Sequence, residues 1–227
     1  MPRTLIIPDI HEDIDRLKFI MGSEYRPECE DKIVFLGDWM DTFLYEKDPY
    51  LASVKREEML LWLASEIDHP DFTFLYGNHD IQYIFPHSAA RCSGFRDDTL
   101  AAIVGAGDLR EKIEGKFKLW HKVGPWVCSH AGFYSEILPS RDVQTQDAYR
   151  LSREVGPARG GYMGKQCGGP LWMDWNYEFS PVDGLMQVVG HTVQKKPSWK
   201  DANVCIDTGL QYIAAIEGDG SLYTIRV

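Results

Sequence analysis

Five short apolar runs in this chain each end on a residue that can bind a metal, and that repetition constrains the fold more than any other feature. Residues 5–7 pass through Pro8 into Asp9-Ile10-His11, and residues 33–36 into Gly37-Asp38. Residues 72–76 lead to Gly77-Asn78-His79-Asp80, residues 126–128 through Ser129 to His130-Ala131-Gly132, and residues 185–189 to Gly190-His191-Thr192. The runs are rich in β-branched and aromatic residues and nearly continuous, which predicts strands buried on both faces. Between the first two, Ile14, Leu17, Ile20 and Met21 fall on one helical face; Met59, Leu60 and Leu63 do the same within 56–67. The first third therefore reads β-α-β-α-β. In an open α/β sheet, ligands bind at the C-terminal rim of the strands, where each run delivers its Asp, Asn or His.

The rest of the pattern is less regular. Residues 81–115 carry one short helical pattern, 98–104. Residues 117–121 and 125–129 flank Val123-Gly124 and predict a hairpin, and 141–153 predicts a polar helix. The glycine-rich stretch 156–169 reads as a loop of functional length. Residues 204–206, 212–216 and 222–225 predict further strands, with turns at Thr208-Gly209 and Asp219-Gly220. No repeat or linker divides the chain, so residues 1–227 are expected to form a single α/β domain of sheets packed together with helices outside.

Bulk properties exclude several classes. At 227 residues, 44% hydrophobic and 26% charged, the chain is in the globular range. No apolar run approaches the roughly 18 residues needed to span a bilayer, so no membrane partner is expected. A net charge of −10 disfavours nucleic acid as a partner. The five cysteines are scattered without a CxxC pair, which fits free thiols in a reducing cytoplasm.

Carboxylate, imidazole and amide oxygen together suit divalent ions of intermediate hardness, such as manganese, iron, zinc or cobalt; three imidazoles argue against a pure calcium or magnesium site. Singly the pieces are weak, since a lone Asp-x-His is common and a Gly-Asp after a strand is usually a turn. The ordered set, each member at a strand end, is not explained that way.

The order D-x-H, GD-x-x-D, GNH-D, H-A-G, GH-T resembles the calcineurin-like metallophosphoesterase superfamily, from Asp9 to Ile206-Asp207-Thr208-Gly209. Many members end in GH-x-H; Gly190-His191-Thr192-Val193 lacks that last His and is similar to the phosphoprotein phosphatase branch, with its bacterial and phage members and the bis(5′-nucleosyl)-tetraphosphatases. The resemblance implies a four-layer α/β/β/α sandwich of two mixed sheets. It implies two divalent metal ions, manganese first, with iron, zinc, nickel or cobalt as alternatives. Asp9 and His11 would hold the first ion, Asp38 would bridge, and Asn78, His130 and His191 would complete the second. His79 would face the substrate as general acid, with Asp41 orienting it. Hydroxide made available by the two ions would attack phosphorus directly.

Two departures bear on the substrate. The branch has Arg-Gly after Asp41 and uses that Arg to grip phosphate; here Thr42-Phe43 follow. It also has Gly after His11, where this chain has Glu12. A second phosphate-binding Arg is expected among Arg141, Arg150, Arg153 and Arg159, with Arg159 preferred for its place in the glycine-rich loop. Trp39 and Tyr83, near the motifs, are read first as core and second as stacking platforms.

The expected activity is hydrolysis of phosphate monoesters on a small molecule, nucleotide or phosphoprotein. A dinucleoside polyphosphate hydrolase is the alternative. A phosphodiesterase, or an inactive scaffold, ranks lower, because the last His is missing in the first case and every ligand and His79 are present in the second.

Overall fold

The computed structural model describes residues 2–157 and 168–227. Two five-stranded mixed sheets form its centre. In the first, β1 (Thr4–Ile7) pairs in parallel with β2 (Lys32–Phe35), and β2 with β3 (Phe72–Phe74). The antiparallel β9 (Tyr212–Ile216) and β10 (Leu222–Arg226) extend its other edge, giving the order β10-β9-β1-β2-β3. In the second sheet, β5 (Trp126–Ser129), β6 (Met186–Val189) and β8 (Asn203–Cys205) are parallel neighbours. They are flanked by the antiparallel edge strands β4 (Trp120–Val123) and β7 (Ser198–Lys200).

The near-continuous apolar runs follow from double-sided burial. Successive side chains of a strand point to opposite faces. Ile6, Val34, Leu36 and Leu75 meet Trp126, Cys128, Val188, Val204 and Ile206 between the sheets. The alternate residues Leu5, Ile7, Ile33 and Phe35 pack outward against helices. Each core position is fully or almost fully buried, and such burial contributes about 25 cal/mol per Å² of apolar surface.

The helices sit where local sequence starts them. In α1 (Ile14–Glu24), the Asp13 side chain accepts from the Arg16 amide at 3.1 Å, and Ile14, Leu17 and Ile20 are buried. In α2 (Pro49–Glu66), Asp48 caps the Leu51 amide at 2.9 Å and Pro49 opens the first turn. That helix begins earlier than residue 56, and its buried face accommodates Arg56 because the guanidinium donates to Asp98 (2.9 Å) and Thr99 (3.2 Å). Residues 81–115 are more helical than their sequence suggests: α3 (Asn78–Ile84), α4 (Asp97–Gly105) and α5 (Leu109–Lys116) pack on the outer face of the first sheet.

The expected hairpin forms with its turn one residue later: Val123 pairs with Trp126, leaving Gly124-Pro125 as the loop. The polar stretch 141–153 divides into α6 (Arg141–Gln144) and α7 (Ala148–Glu154). A short α8 (Gly169–Trp172) leads to Met173, Trp175 and Phe179, which pack with Val189 and Cys205 outside the second sheet. Among the described residues, no helix is long and apolar enough to cross a membrane.

Candidate metal centre

The parallel strands β1, β2 and β3 release Asp9, Asp38 and Asn78 along one rim of the first sheet, and β5 and β6 release His130 and His191 along the facing rim of the second. The turns that do this are tight. His11, Glu12, Asp38, Asp41 and His191 all have positive φ, between 48° and 68°. Side chains rarely adopt that conformation, which costs of order 1 kcal/mol each and clusters where function requires it. Two glycines allow the carboxylates to lie against backbone. A Cβ on Gly77 would fall 2.0 Å from Asp38 Oδ1, and one on Gly190 2.1 Å from Asp9 Oδ1.

Ligand atoms of Asp9, His11 and Asp38 lie within 4.8 Å of one another, as do those of Asp38, His130 and His191. Asp38 is common to both groups. Its Oδ2 is 3.6 Å from His11 Nε2 and 3.5 Å from His130 Nε2, while its Oδ1 accepts from the His79 amide at 2.9 Å. Asp9 accepts from the His191 amide through both oxygens at 3.0 Å.

The hydrogen bonds around these side chains show whether a cation fits. Nδ1 of His130 is 3.0 Å from the Leu36 carbonyl, and Nδ1 of His11 is 3.1 Å from that of Met40. A carbonyl can only accept, so each Nδ1 carries the proton and each Nε2 presents a lone pair inward. Asn78 donates Nδ2 to Cys92 Sγ at 3.0 Å, which turns Oδ1 inward to 2.8 Å from His130 Nε2. His191 Nδ1 approaches the same nitrogen at 3.1 Å. In the Asn78–His130 pair an acceptor therefore faces an acceptor, an arrangement that a shared positive charge satisfies.

Electrostatics agree. Burial first, then the charge of Asp207, holds the Asp9 carboxyl well above the usual range; burial, then Asp9, does the same to Asp38. Burial lowers His11 to about 3 and drives His130 well below its usual value, so both rings are neutral and able to ligate. Carboxylates crowded in this way, beside neutral imidazoles, suit a divalent ion.

Beside this cluster, His79 Nδ1 is 2.8 Å from Asp41 Oδ2. Asp41 is buried and also accepts from Gln82 Nε2 (2.7 Å) and the Tyr83 hydroxyl. The His11 and His79 rings are 5.0 Å apart, edge to face. All eight residues other than Arg159 that the sequence singled out for the site, from Asp9 to His191, thus converge. Arg159 lies outside the described residues. The other arginine candidates do not gather here: Arg141 is exposed, Arg150 pairs with Asp147 at 3.5 Å, and Arg153 lies 6.0 Å over the Tyr149 ring.

Some functional residues were not legible in advance. Asp80, which closes the Gly77-Asn78-His79-Asp80 motif, accepts from three backbone amides, Asp38, Trp39 and Gly77, each at 2.8 Å. Glu12 is buried and accepts from the Asp41 amide at 3.2 Å, so one departure from the family pattern supports the turn that carries the other. Arg96, unconsidered from sequence, stacks 3.5 Å over Tyr45 and shares a small cavity with Glu12, Asp41, Thr42 and Arg56. Its amide donates to the Tyr83 hydroxyl at 3.0 Å. Trp39 and Tyr83 are fully buried, so the core reading holds for both.

Two five-stranded mixed sheets thus meet in a rim of buried and half-buried Asp, Asn and His residues that can hold a metal. Residues 2–207 match the model of the calcineurin-like phosphoesterases, and the chain belongs to that family. It is a metal-dependent phosphoesterase hydrolase of the kind that uses divalent ions. No curated protein matches the chain in sequence. Among solved structures, a cold-active protein-tyrosine phosphatase of a psychrophilic Shewanella superposes with a TM-score of 0.59 at 13% identity, covering 100% of this chain and 81% of that one. A serine/threonine phosphatase of Saccharomyces cerevisiae, similar to human PP5, gives 0.60 at 12%, covering 100% and 80%. A protein assigned as a diadenosine tetraphosphatase gives 0.55 at 15%, covering 100% and 96%. At these identities the likeness is one of fold.

Proposed function

We propose that this chain hydrolyses phosphate monoesters at a dinuclear centre, with Asp9, His11 and Asp38 holding one ion and Asp38, Asn78, His130 and His191 the other. The observation that carries the reading is Asp38 Oδ2, placed between His11 Nε2 and His130 Nε2 at 3.6 and 3.5 Å. Two divalent ions bound there would neutralise phosphoryl oxygens and acidify the attacking water. Manganese suits the mixed imidazole, carboxylate and amide donors.

The chain's own residues supply the rest. The Leu36 and Met40 carbonyls fix the tautomers of His130 and His11, and Cys92 fixes the rotamer of Asn78. Asp41 holds the Nδ1 proton of His79, leaving Nε2 as the nitrogen available to a substrate. As a hydroxide oxygen forms its bond to phosphorus, the bond to the leaving oxygen breaks, and His79, acting as the imidazolium whose charge Asp41 balances, gives that oxygen its Nε2 proton and is left neutral. Such general-acid assistance contributes typically about 10²–10⁴-fold. Its position beside the ligand His11 supports the role. The described cysteines are free thiols, which supports a reducing, cytoplasmic setting.

The test is p-nitrophenyl phosphate hydrolysis by protein stripped of metal and refilled with manganese, nickel, zinc or magnesium. Activity restored by a divalent ion supports the reading. No hydrolysis of any phosphate monoester with any of these ions contradicts it.

A further inference from the structure

Phe43 occupies the position after Thr42 where the family pattern has glycine, and it is 71% exposed. Its ring centroid lies 4.6 Å from that of His11, at an interplanar angle of 54°. His11 in turn lies 5.0 Å from His79. The phenyl ring therefore stands at the edge of the ligand cluster, against the same His11 ring that His79 borders, with most of its surface open.

The other aromatic rings near the motifs are not open in this way. Trp39 and Tyr83 are fully buried, and the Tyr45 ring is covered by the Arg96 guanidinium at 3.5 Å. Trp172 is half-buried and lies 6.1 Å from His191, in the opposite ligand group. Leu44, Tyr50 and Leu51, which follow Phe43 in sequence, are also exposed.

We infer that Phe43 is a specificity-determining residue that stacks on a planar aromatic group carried by the leaving alcohol of the phosphate ester. The inference rests on the phosphomonoesterase reading. The leaving oxygen must lie within reach of His79 to take its proton, and His79 and Phe43 both border the His11 ring, so a group carried by that oxygen can extend past His11 to Phe43. An aromatic group there gains contact with the open ring, whereas a short alkyl group does not. Aryl phosphates place the ring directly on the ester oxygen; nucleoside monophosphates place it one sugar away.

The experiment compares kcat/KM of the metal-loaded protein and of Phe43→Ala and Phe43→Tyr on phenyl phosphate, a nucleoside 5′-monophosphate and propyl phosphate. It also measures metal content, and calorimetric binding of phenylphosphonate beside methylphosphonate. In Phe43→Ala, the loss on an aromatic ester exceeds that on propyl phosphate by about five- to tenfold, mostly in KM. Phenylphosphonate binding weakens by a similar factor relative to methylphosphonate, two ions are retained, and Phe43→Tyr restores the preference. The aromatic ester that responds identifies which class the ring takes. Equal losses on all three esters with reduced metal content would show that Phe43 merely supports His11 and overturn the inference, as would an unchanged ratio. Absence of hydrolysis on every ester in the unmodified protein would overturn the phosphomonoesterase reading, and this inference with it.

Discussion

The His79 imidazole and the Asp41 carboxylate are joined by a 2.8 Å contact between Nδ1 and Oδ2. The chain is bent on purpose to make it: Asp41 has a φ of 68°, and Gln82 and Tyr83 hold the same carboxylate from the other side. A carboxylate that accepts from three donors fixes the ring's tautomer and orientation together.

If His79 is the proton donor, His79→Asn retains the metals and loses about 10²–10⁴-fold in kcat on an alkyl phosphate. The loss on p-nitrophenyl phosphate is much smaller, because that leaving group departs without a proton. Asp41→Asn is expected to follow the same pattern in milder form. The check is kcat plotted against leaving-group pKa; undiminished turnover of an alkyl phosphate by His79→Asn removes the assignment.

Asp80 ties the turns after β2 and β3 together through the amides of Asp38, Trp39 and Gly77. Asp80→Ala leaves three buried donors unsatisfied, at a cost of about 3 kcal/mol or more. The denaturation midpoint of the metal-free protein should fall accordingly with the m-value unchanged, and Asp80→Glu should recover part of the loss. Equal midpoints for Asp80→Ala and the parent chain would show that these bonds contribute nothing.

The pH dependence of metal binding follows from burial. Asp9 and Asp38 are held well above the carboxylate range, with Glu12 pushed up to about 7 and Asp80 and Asp207 to about 6. Each of these groups binds its proton more tightly folded than unfolded. Its contribution to stability is complete below the unfolded value, about 4, and is lost as pH rises through the folded value. His11 and His130, held below the histidine range, act in the opposite sense: their neutral burial opposes folding as pH falls below the ordinary value of 6.5. In the folded protein the His11 and His130 rings are already neutral, so at these positions cations displace protons from the Asp9 and Asp38 carboxyls instead. Manganese affinity should therefore rise with pH as those raised carboxyls ionise, with protons released on binding. Calorimetry in two buffers of different ionisation enthalpy measures that release; proton uptake, or affinity independent of pH, contradicts it.

The parts that were legible in the sequence are those that burial and strand ends write locally. Runs such as Ile33 to Leu36 are apolar because both faces are covered, and the residue after each run is polar because the rim is where the sheets stop. That is why Asp9, His11, Asp38, Asn78, His130 and His191 could be named before any coordinates. What was hidden depends on distant partners. α2 begins at Pro49 although Arg56 lies on its buried face, since Asp98 and Thr99, some forty residues away, satisfy the guanidinium. α3 starts at Asn78 inside the motif itself, where polar Asn78, His79 and Asp80 mask the helical period. The service of Asp80 to three amides, and the exposure of Phe43 beside His11, are tertiary facts with no local signature.

The proposed dinuclear centre depends on Asp38 holding two ions at once. The most direct measurement is metal per chain in the manganese-loaded protein beside Asp38→Asn, with p-nitrophenyl phosphate hydrolysis followed in the same samples. Two ions are expected in the parent chain, and in Asp38→Asn the loss of at least one ion together with a loss of about 10²-fold or more in turnover. One ion in a fully active parent chain, or full activity in Asp38→Asn, would contradict it.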